Sequence, residues 1–240
     1  PTYILRIFGA EHTPSRGASA PCKIPEETMV TQETEGVIQF AYHLSPPRDR
    51  AQVRARADAL EALAAPFRHA GLLGRDPARY DGLAYGNVSL REGSGYAITA
   101  SQRSDQLTLK AEDVCWAALE RGANGALEAE GDRPPSSESL VHEALYRACP
   151  GARAVAHGHH PALWQARDAL ALPCTAPAAR NGTEALAQAV TALSEGRERG
   201  CLAMAGHRDG MLFWAPTPEA LHQLLAQTLA RLSDLHHDAP

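Results

Sequence analysis

No stretch of this 240-residue sequence approaches the roughly 20 consecutive apolar residues that a membrane-spanning helix requires, so no membrane partner is expected. Basic residues are not in excess either: 23 Lys and Arg stand against 28 Asp and Glu, a net charge of −5, and no Lys/Arg stripe stands out. A protein that grips nucleic acid needs such a basic surface, so nucleic acid is not an expected partner. The cysteines Cys22, Cys115, Cys149, Cys174 and Cys201 are scattered without a CxxC pair, and their odd number of 5 argues for ordinary thiols rather than a disulfide framework. The first residues, PTYILRIFGAEHTPSRG, lack the basic, apolar, small-residue order of a secretory signal, and the expectation is a soluble, cytoplasmic protein. Internal repeats and low-complexity linkers are also missing. What is present is 44% hydrophobic residues, enough at this length for one well-buried core.

Residues 1–48 mix two β-like runs, TYILRIF and GVIQFAYHL, around a polar Pro/Ser/Glu stretch, and read as an N-terminal extension ahead of a domain spanning 49–240. From Arg48 to Leu73 apolar residues recur at helical spacing, with Gly74 as a stop. GLAYGNVSLREGSGYAITAS alternates around Gly93-Ser94-Gly95, a hairpin pattern, and a short strand is expected at 126–129. PPSSESLVHEALYRACPG reads as a capped helix, ARAVAHGHH as a strand, and PALWQARDALAL and TEALAQAVTALSEG as helices. GCLAMAGHRDGMLFWAP reads as a second hairpin turning at Arg208-Asp209-Gly210, and TPEALHQLLAQTLARLSDL as a closing amphipathic helix. Helices alternating with hairpins predict an α/β sandwich with a largely antiparallel sheet.

Three histidines crowd into HGHH at 157–160. On a strand His157 and His159 share one face, His160 takes the other, and Ala154, Ala156 and Gly158 leave the opposite face open to a close neighbour. Two imidazoles on one face can chelate an ion, although ordinary surface or core histidines account for most H-x-H pairs. His207, beside the turn of the second hairpin, is the natural third ligand if there is a metal. Ser136 and Ser137 precede Glu138 at a predicted helix start, where free N–H groups favour an anion; plain capping, with Glu138 in the first turn, accounts for the same residues. An anion cradle, a carboxylate and a metal pair in one neighbourhood are what proton abstraction next to a carbonyl requires.

GNVS (86–89), ITASQ (98–102), PSSESLVHEALY (135–146), AVAHGHHP (154–161) and GHRDGMLFW (206–214) occur in an order and spacing that resembles the class II aldolase/adducin family, over roughly residues 50–232. The resemblance implies a three-layer α/β/α sandwich with a mainly antiparallel central sheet. It implies a divalent metal, usually Zn2+, on His157, His159 and His207, with Glu138 as the catalytic acid/base. It also implies substrate- or phosphate-binding roles for Asn87, Ser101, Ser136 and Ser137, and a homotetramer with sites at subunit interfaces.

The sequence departs from that family at three points. His207-Arg208-Asp209-Gly210 is a longer turn than the usual His-Gly, Gln102 stands where the phosphate loop of the aldolases has glycine, and no tyrosine follows Tyr146. The first 48 residues have no counterpart in the small aldolases. A metal that chelates a carbonyl and its neighbouring hydroxyl stabilises the enediolate left by C–H or C–C cleavage. The expected function is therefore a metal-dependent lyase, of the aldol-cleavage or dehydration type, in carbohydrate metabolism, acting on a small hydroxy-carbonyl or sugar-phosphate-like substrate. The alternative is a non-catalytic, adducin-like metal-binding or scaffold protein.

Overall fold

The computed structural model describes residues 36–237; the TYILRIF run lies outside them. Its elements are β1 (Tyr42–Ser45), α1 (Arg50–His69), β2 (Gly74–Arg75), β3 (Ala84–Tyr85), β4 (Asn87–Glu92), β5 (Gly95–Thr99), β6 (Val114–Ala118), β7 (Leu127–Gly131), α2 (Ser139–Ala148), β8 (Ala154–His159), α3 (Pro161–Gln165), α4 (Glu184–Ser194), β9 (Gly200–Ala203), β10 (Gly210–Ala215) and α5 (Pro218–His237). Eight strands form one sheet in the order β1-β7-β6-β5-β4-β8-β10-β9, and β2 and β3 pair separately. The sheet is mixed: β1 runs parallel to β7, and the pairs from β7 across to β9 are antiparallel.

Local chemistry sets the boundaries. Asp49 caps α1 by accepting from the N–H groups of Ala51 and Gln52. The helix stops earlier than the predicted Gly74 because Gly71 takes φ 76, with Gly71 N–H bonded to Arg68 O and Leu72 N–H to Phe67 O. That is the Schellman arrangement, which a glycine in the left-handed region enters without strain. The first hairpin turns at Gly93-Ser94 with Glu92 opposite Gly95, as the alternation predicts. In the second hairpin Met211 pairs with Ala203, so residues 204–209 form a loop rather than a tight turn. The strand expected at 126–129 runs from Leu127 to Gly131, and β6 is an element beyond those expected from the sequence. The helix expected over 161–172 is regular only to Gln165; Ala171 at φ 50 and a Leu172 N–H to Arg167 O bond close the segment.

Strand alternation splits the interior into two cores. Val88, Ala97, Val114, Ala154, Ala156, Met211 and Phe213 pack with residues of α1, α3 and α5, such as Leu60, Phe67, Leu163 and Leu221. Ile98, Cys115, Leu127, Val155, Leu212 and Trp214 pack on the other side with Val141 and Leu145 of α2 and Leu186 and Val190 of α4. Since neighbouring residues such as Val155 and Ala156 enter different cores, one strand serves both faces. The expected α/β architecture is present, and the strand within the expected extension joins the same sheet.

Candidate metal centre

β8 carries His157 and His159 beyond Val155 on the α2 side, while Ala154 and Ala156 serve the opposite core. The space left by Gly158 is used: a Cβ there would lie 2.7 Å from Leu72 Cβ and 2.8 Å from Leu72 O. The close approach lets Leu72 O accept from His159 N–H at 2.9 Å, which anchors the strand end. His160 faces away and caps α3, its Nδ1 accepting from Leu163 N–H.

His207 arrives from the loop between β9 and β10. Gly210 lies opposite His159 in the ladder, and Gly210 N–H donates to His207 O, so the ladder carries the loop to the histidine pair. The Nε2 of His157 lies 3.2 Å from those of both His159 and His207. All three rings are buried. Nitrogens bound at 2.0–2.1 Å to a tetrahedral zinc stand roughly 3.3–3.4 Å apart, close to these two distances, and all three ligand atoms lie within 4.8 Å of one another. His157 Nδ1 is 3.1 Å from Met211 O; donating there puts the lone pair on Nε2, toward the other rings. Burial first, and the neighbouring imidazole of His207 second, hold His157 and His159 far below the usual histidine range. Both are therefore neutral, the form that ligates.

Asn87 sits opposite His157 across the β4–β8 ladder, and its buried Oδ1 has no hydrogen-bond partner among the described residues. Ser136, Ser137 and Glu138 are buried at the start of α2. Plain capping does not describe them: Glu138 itself occupies the cap position, without a capping bond from its side chain, and Ser136 Oγ accepts from Glu138 N–H at 3.3 Å. Ser101 is half-buried in the loop after β5, tied to this segment by its N–H to Pro134 O at 3.0 Å. Gln102 keeps the left-handed backbone a glycine would take, at φ 61. Its amide is occupied by Ala84, accepting from the N–H at 2.8 Å and donating to the carbonyl at 3.0 Å.

Sequence reasoning missed two groups. One is an aromatic wall: Tyr80 packs edge-on against His159 at 4.5 Å between centroids, and Tyr85 at 5.6 Å. The Tyr80 hydroxyl donates to Asp209 at 2.8 Å and accepts from Arg79. Burial and the Asp209 carboxylate push that phenol up, so it stays protonated. No tyrosine follows Tyr146, yet two earlier ones reach the centre. Nothing periodic links Tyr80 to a histidine 79 positions away, and only folding reveals the contact. The second group is His142, Ser89 and Tyr146, all fully buried. Ser89 Oγ is 2.6 Å from His142 Nδ1 and 2.8 Å from the Tyr146 hydroxyl. Burial lowers His142 to about 3. The i, i+4 spacing from Glu138 was a readable signal here, because it places His142 on the same helix face.

Residues 76–173 match the family model described as the Class II Aldolase and Adducin N-terminal domain. The family's domain thus accounts for residues 76–173 of the chain. Among sequence relatives, methylthioribulose-1-phosphate dehydratase of Methylococcus capsulatus is 42% identical over 78 residues, 32% of this chain and 35% of the relative, so the match spans about a third of that protein. Among solved structures, l-fuculose-1-phosphate aldolase from Thermus thermophilus superposes with TM-score 0.58 at 22% identity, covering 78% of this chain and 94% of its own. YgbL from Escherichia coli superposes with TM-score 0.59 at 18% identity, covering 79% and 93%. At these identities the structural likeness is one of fold.

Proposed function

We propose that this chain is a metal-dependent lyase that cleaves a carbon–carbon bond in the aldol sense, or eliminates water, from a small hydroxy-carbonyl substrate of the sugar-phosphate kind. The observation that carries the reading is the convergence of three buried imidazoles at a zinc-like spacing. His157, His159 and His207 would hold the ion, zinc or another divalent metal. When bound there, the metal would supply Lewis-acid stabilisation of negative charge on substrate oxygen.

The remaining steps fall to the protein. Glu138, buried beside the serines of the α2 start, is the acid/base. In a dehydration its carboxylate takes the proton from the carbon next to the carbonyl and returns it to the departing hydroxyl, which leaves as water. In a retro-aldol cleavage it takes the hydroxyl proton as the carbon–carbon bond breaks and delivers it to the carbon left behind. Asn87, Ser101, Ser136 and Ser137 bind the substrate's polar and anionic groups.

The same reading takes residues 49–240 as the catalytic domain of a three-layer sandwich, with 1–48 as its extension, in a cytoplasmic homotetramer whose subunit interfaces complete the sites. Elemental analysis of purified protein, followed by product assays on phosphorylated and free hydroxy-carbonyl compounds, tests it. Stoichiometric metal with turnover supports the lyase; metal without turnover on any such compound returns the chain to an adducin-like binding role.

A further inference from the structure

His142 takes no part in the chemistry above, yet the fold holds it in one defined state. The imidazole is fully buried on α2, and its Nε2 has no hydrogen-bond partner among the described residues. A buried polar nitrogen left this way is destabilising unless something meets it. Its other nitrogen is held firmly. Ser89 Oγ lies 2.6 Å from Nδ1, and the Tyr146 hydroxyl lies 2.8 Å from that oxygen.

The protons in this chain can be placed. The Tyr146 hydroxyl has a second neighbour, Arg153 O, but at 3.5 Å it is the poorer acceptor. The phenol proton therefore goes to Ser89 Oγ, and the serine proton goes to His142 Nδ1. A neutral imidazole that accepts at Nδ1 carries its proton on Nε2. The bare nitrogen is thus a donor.

Its surroundings are those of the histidine centre. Ser89 and Asn87 are two apart on β4 and share a face, and Asn87 stands opposite His157. Asn87 Oδ1 is itself buried without a partner among the described residues. His142 is close enough to His157 to bear on its charge, and it lies one helical turn from Glu138, whose carbonyl accepts its N–H. A buried donor and a buried acceptor, each unmet, flank the same ligand histidine. A hydroxyl group satisfies both, because it accepts and donates at once.

We propose that His142 is a substrate-binding residue of this site, its Nε2–H donating to a substrate hydroxyl whose own proton goes to Asn87 Oδ1, with Ser89 and Tyr146 fixing the tautomer. The proposal rests on the reading of the histidine trio as the catalytic centre and specifies which substrate group is recognised there.

The test uses the full chain, zinc-loaded, with glycolate as a probe that carries a hydroxyl beside a carboxyl carbon. Ring 15N spectra should show the His142 proton on Nε2, and glycolate should shift that resonance. A proton on Nδ1, or a resonance unmoved by glycolate at high concentration, overturns the proposal. Two variants separate binding from packing. His142→Gln can place an amide N–H near Nε2, whereas His142→Asn keeps only the group near Nδ1. Glycolate affinity about ten-fold weaker in the Asn variant and near wild type in the Gln variant is expected, with equal zinc content in both. The reverse pattern, or equal affinity in all three proteins, assigns His142 a packing role. Failure of the metal reading shows separately, as wild-type protein without zinc; the same 15N titration on metal-free protein then decides on His142.

Discussion

The two faces of the eight-stranded sheet are built from alternate residues of the same strands, yet they carry different chemistry. Along β8 the face toward α1, α3 and α5 reads Ala154, Ala156, Gly158, and the face toward α2 and α4 reads Val155, His157, His159. The first is filled by aliphatic and aromatic contacts such as Phe67 edge-on to Phe213 at 5.6 Å. The second holds its apolar core under the middle of α2 and α4, and its other buried residues include His142, Glu138, Asn87 and Ser89. Apolar packing is non-directional and stabilises wherever volumes fit, whereas buried polar groups each need a partner. Both faces contribute apolar packing, and the second also gathers the buried polar groups of the candidate site. Gly158 links the two faces: its missing side chain admits Leu72 from the packing side and so fixes the end of the strand that carries His157 and His159.

Substitutions on each face should separate these roles. The most severe change should come from His159→Ala, which removes one of three ligands: elemental analysis should find stoichiometric divalent metal in the wild type and none in the variant. Glu138→Gln preserves shape but removes the titrating group. It should retain metal and melting temperature while turnover falls about 10²–10⁴-fold, as measured by steady-state kinetics. On the packing face, Phe67→Ala should cost about 3–5 kcal/mol in urea unfolding and leave the metal content of the folded protein unchanged. A loss of metal there as large as that in His159→Ala would break the separation of roles.

Acid should act through the site face. His142 is held at about 3, against 6.5 for an exposed histidine. The native state thus binds fewer protons than the unfolded chain between those values. The associated stability is complete above about pH 6.5 and declines as pH falls toward 3, by about 1.4 kcal/mol per unit for this one residue. Unfolding free energies of the metal-free protein at pH 7, 6 and 5 should show the decline, to which the buried His157 and His159 contribute in the same direction, and His142→Gln should make it shallower by about one residue's share. The mildest change should arise far from either core, at the start of α1: Asp49→Ala removes two capping bonds and should cost about 1 kcal/mol with no change in metal content or pH slope.

Much of the local structure was legible without coordinates. The spacing of Val53, Ala57, Leu60, Ala64 and Phe67 required a helix with one buried stripe, and those residues are buried. The alternation in GNVSLREGSGYAIT required a hairpin, and the turn falls at Gly93-Ser94. The period of two along AVAHGHH put His157 and His159 together and turned His160 away. Local periodicity carries these facts because each depends on residues within a few positions of one another.

Residue order alone therefore settled the helical stripes, the first hairpin, the sidedness of the histidine strand and the glutamate at a helix start. Folding in three dimensions was needed to show that β1 joins an edge in parallel, that the β10 ladder brings Gly210 opposite His159 and so delivers His207, and that Tyr80 and Asp209 close over His159. It was needed, too, to show that Ser89 and Tyr146 join His142 in one buried hydrogen-bonded chain. These contacts join residues 50 or more positions apart, with the Tyr146 bond to Ser89 spanning 57. Their geometry comes from strand register and from helices settling on a common sheet, which no local pattern of residues encodes.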